Sequence, residues 1–216
     1  MIHAVAVAMQ PIHAAFAAEW PQAELMNILD DSLSLDRARD TDLSAAMTER
    51  IVALGDYAES AGAEGILYTC SAFGAAIEAK AAQSAIPVLK PNEAMFLDAF
   101  RHGLRIGMLA TFGPSVSGME AEFRAEAARN APGAALETVL VADAIEALKG
   151  GDARTHDRLV AAAAPALAHC DAILLAHFST SRAAAAVREV VGLPVLTAPG
   201  CAVRLLRTQY YQRQPA

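Results

Sequence analysis

The residues best suited to chemistry in this sequence are a cysteine and a histidine that each follow an apolar, strand-like segment. Cys70 comes directly after Gly65–Thr69 and is followed by Ser71 and by a predicted helix that begins near Ala72. Backbone N–H groups at a helix start stabilise a thiolate, the form of cysteine that removes protons or attacks carbon. An ordinary thiol, with a pKa of about 8.5, is largely protonated at neutral pH. The position of Cys70 therefore predicts a reactive thiol; the alternative is a small, buried apolar residue.

His177 follows the apolar segment Asp171–Ala176 and precedes Phe178-Ser-Thr-Ser181, where hydroxyl side chains are typical of a helix start. An imidazole with a pKa near 6.5 can accept or donate a proton at physiological pH. A histidine in this setting is more often a hydrogen-bonded structural residue. His177, however, falls on Cys70 when the chain is aligned on itself along an internal repeat. We therefore predict an acid/base role for His177.

The repeat is visible in two alignments of the chain on itself. Ile66–Leu89 aligns without a gap on Ile173–Leu196, and this alignment, the repeat register, is the one that places Cys70 on His177. The N-terminal segment aligns on Arg105–Phe123 with a slightly smaller offset, so that Pro11 meets Pro114. Together the alignments predict two similar halves.

Short apolar runs alternate with longer alanine-rich segments, a pattern typical of parallel sheets covered by helices. The predicted strands are Ile2–Met9, Ala23–Leu29, Gly65–Thr69, Pro87–Leu89, Arg105–Thr111, Leu136–Val141, Ala172–Ala176 and Pro194–Thr197. We expect an α/β protein with two similar parallel-sheet, flavodoxin-like halves, related by a pseudo-twofold axis with the active site between them. The first half is expected to comprise residues 1–95 with the C-terminal segment 198–216, and the second half residues 96–197. In open α/β sheets, ligands bind beyond the carboxyl ends of the strands.

Two helices are predicted from their capping residues. Thr41 or Asp42 is expected to cap a helix that runs to about Ser60, and Asp152 is expected to start another.

The N-terminal segment, residues 1–18, carries no charged side chain and could be taken for a secretory leader. It begins without Lys or Arg, and Gln10-Pro11 interrupts its apolar run, so we predict that Ile2–Met9 is the first strand of the fold.

Composition and charge narrow the range of partners and settings. With 17 Lys and Arg against 24 Asp and Glu, the formal charge is −7, and no basic cluster could neutralise nucleic acid phosphates. Charged residues recur throughout the chain after the N-terminus, which excludes membrane spans there. Three widely spaced cysteines form neither a disulfide framework nor a CxxC pair, which favours a reducing, cytoplasmic setting. We expect neither nucleic acid nor a membrane as a partner.

Small polar residues near the predicted strand ends are candidates for holding a substrate carboxylate. Ordinary turn and helix-cap chemistry explains Thr111 and Ser115 equally well. The candidates are Gln10, at the predicted end of the first strand, with Thr69, Ser71 and Ala72 in the first half, and Thr111, Ser115, Phe178 and Ser179 in the second.

No cofactor and no metal are expected. The six histidines show no HxH or HExxH spacing, and the acidic run from Asp30 to Asp42 has no histidine at a metal-ligand spacing. Neither GxGxxG nor GxxxxGK[ST] is present, which disfavours dinucleotides and nucleoside triphosphates. A pyridoxal Schiff base would need a lysine in the cleft, and of the few lysines only Lys90, just past a predicted strand, could supply one. Pyridoxal phosphate therefore lacks support as well.

The segment Thr69-Cys-Ser-Ala-Phe-Gly74, the duplicated architecture and the second strand-end residue resemble the cofactor-independent Asp/Glu/hydantoin racemase family, which includes maleate isomerases and arylmalonate decarboxylases. The resemblance spans nearly the whole chain. It implies two cysteines on opposite faces of a carbon that bears a carboxylate, one removing the proton and the other returning it. Cys70 falls on the first of these positions. The second falls on His177, which departs from the family pattern.

The resemblance implies a racemase or epimerase acting on an amino acid or a related small carboxylate, by proton transfer between Cys70, His177 and the α-carbon. Because His177 replaces a cysteine, two alternatives stay open: a cis-trans isomerase or decarboxylase that uses Cys70 alone, and a catalytically degenerate anion-binding protein. Alanine-rich helices and the lone Trp20 make a homo-oligomer the expected assembly.

Overall fold

The computed structural model describes residues 1–39 and 42–213, which form two compact units. The first unit holds the chain up to Ala94 and the segment from Ala202 onward. The second unit holds Met95–Cys201. Each unit combines parallel strands with helices, so the predicted α/β class is confirmed.

The first unit contains four short strands, each followed by helical structure. Its elements are β1 (Ile2–His3), α1 (Met9–Glu19), β2 (Ile28–Leu29), α2 (Ser32–Arg37), α3 (Ala45–Ser60), β3 (Ile66–Leu67), α4 (Gly74–Gln83) and β4 (Val88–Leu89). α5 (Glu93–Phe100) begins in this unit and continues into the second.

The second unit has longer strands. Its elements are β5 (Arg105–Ala110), α6 (Val116–Asn130), β6 (Ala135–Leu140), α7 (Ala142–Lys149), α8 (Ala153–Ala163), β7 (Ala172–Leu175), α9 (His177–Thr180), α10 (Ala184–Val190) and β8 (Val195–Thr197). The last helix, α11 (Ala198–Arg213), starts here and returns to the first unit from Ala202 onward.

The two units share one strand order and one register. In the second unit the parallel order is β6-β5-β7-β8. In the first, β1 pairs with β2 and β3 with β4, and a parallel bridge joins the two pairs, which gives the order β2-β1-β3-β4. In the repeat register, the equivalent strand pairs are Ile2–Tyr68 with Leu109–Leu175, and Ile66–Val88 with Ile173–Val195.

The predicted first strand is wrong beyond His3. The chain makes a 3-10 turn at Ala6–Ala8, and α1 begins at Met9. An alanine-rich apolar run of this length suits a strand or a helix, and alanine's helix propensity favours the helix. Gln10 is therefore an exposed residue in the first turn of α1 and does not end a strand. β2 is also shorter than predicted and begins only at Ile28.

The N-terminal alignment that placed Pro11 on Pro114 is wrong for a related reason. The strand pairing of β1 with the β3 segment follows the repeat register instead. In that register the buried Ile12 and Phe16 of α1 match the buried Met119 and Phe123 of α6. The two alignments differ by about one helical turn, a slip that keeps the same face buried. The helix pattern alone therefore could not distinguish them.

Side-chain caps start two of the longer helices. Ser44 caps α3, because its Oγ accepts the Met47 N–H at 3.2 Å. The cap therefore lies two residues beyond the predicted Asp42. The other predicted cap, Thr41, lies outside the described residues. Asp152 caps α8 as predicted and accepts the Thr155 N–H at 3.0 Å. In the described part of the chain no helix has the length and apolar character to cross a bilayer.

A buried lysine makes Gly55 a critical position in the first unit. Lys80 is 1% exposed, and its Nζ lies 2.6 Å from Asp56 Oδ1. Its aliphatic chain passes so close to α3 that a Cβ on Gly55 would lie 2.7 Å from Lys80 Cε and 2.6 Å from Tyr68 Oη. We expect Gly55→Ala to lower the free energy of unfolding by about 1–3 kcal/mol, because the core would be overpacked.

Gly118 provides the matched control. It also lies in a helix, α6, and a Cβ there would meet no atom within 4 Å. We expect Gly118→Ala to raise the free energy of unfolding by about 0.5–1 kcal/mol, since alanine is the better helix former. Urea unfolding followed by circular dichroism measures both changes. Equal effects of the two substitutions would contradict the packing described around Gly55.

Candidate functional site

Cys70 lies between β3 and the turn that leads into α4. Its backbone is extended, with φ −126° and ψ 122°, and a 3-10 turn at Ser71–Phe73 follows. Phe73 is buried and anchors this turn in the core of the first unit, against which the half-buried Cys70 also packs. The predicted helix start near Ala72 is thus a 3-10 turn, and the α-helix itself begins at Gly74.

Thr69 holds the residue before the cysteine against β1. Its backbone N–H donates to the Ile2 carbonyl at 3.0 Å, and its Oγ1 lies 2.9 Å from Nδ1 of His3. Thr69 and His3 are both buried. The hydroxyl of Thr69 is therefore engaged inside the unit, which suits a structural support of Cys70 better than a direct substrate contact.

Arg37 brings a positive charge to the Cys70 segment. Its Nε donates to the backbone carbonyl of Ala72 at 3.3 Å. Ala72 is exposed and Ser71 is half-buried, so the backbone of this turn is accessible. Sequence reasoning missed both Arg37 and His3. Arg37 lies in a helix that the apolar pattern does not mark, and His3 lies inside a run interpreted only as a strand.

His177 has an unusual backbone conformation at the end of β7. Its φ is +69°, and it is the one non-glycine residue with a positive φ among the residues the structure describes. The left-handed region costs a histidine about 1–3 kcal/mol, and such strain concentrates at functional sites. The sequence carries no glycine here that would relieve it. His177 is the first residue of α9, two residues after the end of β7.

The His177 ring is held by Ser115. Nε2 lies 2.6 Å from Ser115 Oγ, which in turn donates to the Phe112 carbonyl at 2.8 Å. Nδ1 is shielded from solvent and has no hydrogen-bond partner among the described residues. Burial lowers the pKa of His177, and the Ala176 backbone partly opposes that shift. The ring is therefore neutral at neutral pH. Because the Ser115 hydroxyl gives its proton to Phe112, Nε2 carries the ring proton and donates it to Ser115 Oγ.

This buried ring should make the stability of the protein depend on pH. The unfolded chain protonates His177 near its ordinary pKa of about 6.5, whereas the folded protein does so only at lower pH. Acid therefore favours the unfolded state. We expect the free energy of unfolding to fall between about pH 7.5 and pH 5, and to fall less in His177→Asn.

Urea unfolding at several pH values measures this difference. His102→Asn, at an exposed position, is the control and should follow the unmodified protein. His3 is also buried with a lowered pKa, so part of the acid sensitivity should persist in His177→Asn. Superimposable curves for His177→Asn and the unmodified protein would contradict the burial described for this ring.

The other candidate binding residues differ in their surroundings. Thr111 is buried at the end of β5, and its Oγ1 lies 3.1 Å from Thr180 Oγ1. Phe178 is buried, whereas Ser179, two residues after His177 in the chain, is half-buried. The second unit thus brings Ser115 into direct contact with His177, while the Thr111 hydroxyl is occupied by a neighbour.

The three cysteines differ in accessibility. Cys70 is half-buried, whereas Cys170 and Cys201 are buried. Burial raises the pKa of the Cys170 thiol, which disfavours its thiolate. The Cys201 Sγ lies 3.7 Å from Asp98 Oδ2 inside the second unit. Cys70 is the cysteine that a reagent in solution should reach first.

A cavity of about 330 Å³ in the first unit lies away from Cys70. Its lining includes Met1 and Gly65, which precede β1 and β3, together with Trp20, Tyr210 and Tyr211. Cys70 follows β3, so the cavity and the cysteine lie at opposite ends of the strands. The cavity therefore does not form a pocket around Cys70.

Three side chains of the second unit have the composition of a metal site. The ligand atoms of Glu137, His169 and Cys170 lie within 4.8 Å of one another. His169 and Glu137 are exposed and already paired, with Nε2 and Oε2 2.9 Å apart. Glu137 lies in β6, and His169 and Cys170 precede β7, whereas His177 follows β7. A metal ion bound by these three side chains would therefore lie at the other end of β7 from His177.

Comparisons with known proteins agree with this architecture. No curated protein gives a significant match to the sequence. An aspartate racemase homologue from Pyrococcus horikoshii OT3 has a similar structure, with a TM-score of 0.70 and 13% identity over 97% of both chains. Glutamate racemase isoform RacE1 from Bacillus anthracis matches with a TM-score of 0.69 and 12% identity, over 98% of this chain and 80% of that one. Allantoin racemase from Pseudomonas fluorescens matches with a TM-score of 0.66 and 14% identity, over 98% of this chain and 89% of that one.

These similarities establish the fold as the two-domain, flavodoxin-like type. The family model described as Asp/Glu/hydantoin racemase matches residues 3–126, which is more than half of the chain. The match includes the Thr69-Cys-Ser segment, β5 and the part of α6 up to Glu126. The chain therefore belongs to the Asp/Glu/hydantoin racemase family, and it is an isomerase of the racemase type.

Proposed function

We propose that this protein interconverts the two stereochemical forms of a small carboxylate, an amino acid or a related acid, by removing and returning the proton at the α-carbon without a cofactor. Cys70 and His177 act as the two acid/base groups. The observation that supports this most strongly is their equivalence: each closely follows the third strand of its unit, and the repeat register that relates the strand pairs places one on the other.

The proposed reaction begins with the Cys70 thiolate. It removes the α-proton, and the electron pair left on carbon delocalises into the substrate carboxylate. His177, protonated on both ring nitrogens, then returns a proton to the opposite face and becomes neutral. In the reverse direction neutral His177 removes the proton and the Cys70 thiol returns one. Each positioned acid or base of this kind contributes about 10²–10⁴-fold to a rate.

The substrate carboxylate is proposed to bind at the turns next to these two groups. Ser71 and Ala72 supply backbone N–H groups at the start of the helical segment, which is a favourable place for an anion. Ser179, half-buried and two residues after His177 in the chain, supplies a hydroxyl. The hydrogen-bonded positions of Thr69, Thr111 and Ser115 favour supporting roles, and the exposed Gln10 on α1 is the weakest candidate.

One observation favours a second candidate function. Burial lowers the pKa of His177, so the imidazolium that must return a proton is scarce at neutral pH. A decarboxylase or a cis-trans isomerase needs only one reactive cysteine, as a proton donor or as a nucleophile that forms a thioether. Cys70 could serve either reaction without His177.

Incubation with single enantiomers of small amino, hydroxy and aryl-substituted carboxylates, with an aryl-substituted malonate and with a cis-unsaturated dicarboxylate, tests the proposal and its alternatives. The protein should first be dialysed against a chelator and shown to lack pyridoxal absorbance. Loss of the circular dichroism of the substrate, with unchanged mass, supports racemisation. Release of CO₂ identifies a decarboxylase, and a covalent Cys70 adduct identifies thioether chemistry. Binding without turnover by any member of the panel would indicate the degenerate anion-binding protein and overturn the proposal.

A further inference from the structure

We propose that His3 is a positioning residue for Cys70, acting through the hydroxyl of Thr69. This inference rests on the proposed function of Cys70 as the reactive thiol. His3 is the last residue of β1, and its side chain is fully buried although it lies one strand away from the cysteine.

Both ring nitrogens of His3 are hydrogen bonded. Nδ1 lies 2.9 Å from Thr69 Oγ1, and Nε2 lies 2.9 Å from Asn27 Oδ1. The same amide oxygen lies 2.9 Å from Nε2 of the exposed His13. A buried histidine with two satisfied nitrogens is held in one orientation, since rotation of the ring would break both contacts.

These contacts determine which nitrogen of His3 carries the proton. The Asn27 amide oxygen can only accept, so Nε2 of His3 is the donor. Burial lowers the pKa of His3, the Asn27 hydrogen bond partly opposes this shift, and the N-terminal ammonium and His13 add to it, so the ring is neutral at neutral pH. Nδ1 of the neutral ring then carries a lone pair, which accepts the hydroxyl proton of Thr69. The side chain of Thr69 is thereby fixed, with its backbone N–H already bonded to Ile2.

The second unit shows that the fold does not require this histidine. In the repeat register, His3 corresponds to Ala110 and Thr69 to Ala176. The equivalent backbone bond is present, from the Ala176 N–H to the Leu109 carbonyl at 2.9 Å. Two alanines therefore suffice for this strand pair. The His3–Thr69 contact is an addition confined to the unit that carries the thiol, directly before Cys70.

Three variants separate positioning from packing. His3→Asn places an amide oxygen near the position of Nδ1 and can still accept from Thr69. His3→Gln places its amide near Nε2 and keeps the Asn27 contact but loses Thr69. Thr69→Val removes the hydroxyl with little change in volume. We expect His3→Gln and Thr69→Val each to lower kcat about tenfold with little change in KM, and His3→Asn to retain most of the activity.

A second readout needs no substrate. The rate of Cys70 alkylation by iodoacetamide, assigned by peptide mass spectrometry, reports on the thiol itself. It should change in His3→Gln and Thr69→Val, change little in His3→Asn, and stay constant in the control His102→Gln, which alters an exposed histidine. If the unmodified protein turns over no substrate but this pattern holds, the proposed function fails while the positioning role stands.

The double variant His3→Gln/Thr69→Val completes the test. If the two residues act through one hydrogen bond, the double variant should lose no more activity than either single variant. Additive losses, equal losses in His3→Asn and His3→Gln, or a change confined to the unfolding midpoint would each overturn the proposal. Should His3→Gln fail to fold, Thr69→Val and His3→Asn still decide the outcome.

Discussion

Replacing Cys70 with serine is expected to lower the rate of racemisation by about 10³-fold. A serine hydroxyl has a much higher pKa than a thiol and supplies almost no anion at neutral pH, so the α-proton would have no base on that side of the substrate. The fold should survive, because serine has nearly the same shape and Cys70 is only half-buried. Chiral chromatography of the product measures the rate, and circular dichroism measures the fold.

Cys170→Ser is the matched control for this substitution. Cys170 is buried in the core of the second unit, so a hydroxyl there should cost stability, by about 1–3 kcal/mol, and leave the activity of the folded protein intact. Activity of Cys70→Ser within a few-fold of the unmodified protein would rule out the thiol as the reagent. A large loss of activity in both variants would point to a general loss of structure.

Replacing His177 with asparagine is expected to lower the rate by about 10²-fold or more, because an amide can neither accept nor deliver a proton. Asparagine is the appropriate substitute since it tolerates a positive φ, which His177 adopts at +69°. Its shorter amide reaches only the position of Nδ1, so the contact of Nε2 with Ser115 is lost together with the acid/base group. The loss should therefore reflect chemistry more than a rearranged backbone. Steady-state rates with each enantiomer as substrate measure the effect.

His169→Asn controls for the loss of an imidazole elsewhere in the second unit. His169 is exposed, pairs with Glu137 and precedes β7, so its replacement should leave the rate unchanged. An equal rate in His177→Asn and the unmodified protein would contradict a role for His177. Cys70 would then act alone, as the decarboxylase and cis-trans isomerase alternatives require.

Much of the fold could be predicted because strand-length apolar runs recur between alanine-rich segments. The gap-free match of Ile66–Leu89 on Ile173–Leu196 reproduces the observed strand register. The N-terminal segment could not be predicted in the same way, since its alanines suit a strand or a helix. Its alignment slipped by about one helical turn, which leaves the buried face of α1 unchanged.

The surroundings of the two central residues were harder to predict. Strand-end position and register singled out Cys70 and His177, but nothing in the sequence shows that His177 adopts a positive φ. The His3–Thr69 contact joins residues far apart in the chain, and depends on the pairing of the β1 segment with the β3 segment. Contacts of this kind follow from tertiary structure and carry no local sequence signal.

Proton exchange with solvent gives the most direct test of the central claim that Cys70 and His177 break and remake a C–H bond beside a carboxylate. The protein should be incubated in D₂O with each enantiomer of a substrate, and the α-proton signal followed by NMR. The account predicts that deuterium enters the α-position from both enantiomers, that Cys70→Ser abolishes this exchange, and that His177→Asn impairs it. Exchange that persists in Cys70→Ser, or turnover without any deuterium at the α-carbon, would contradict it.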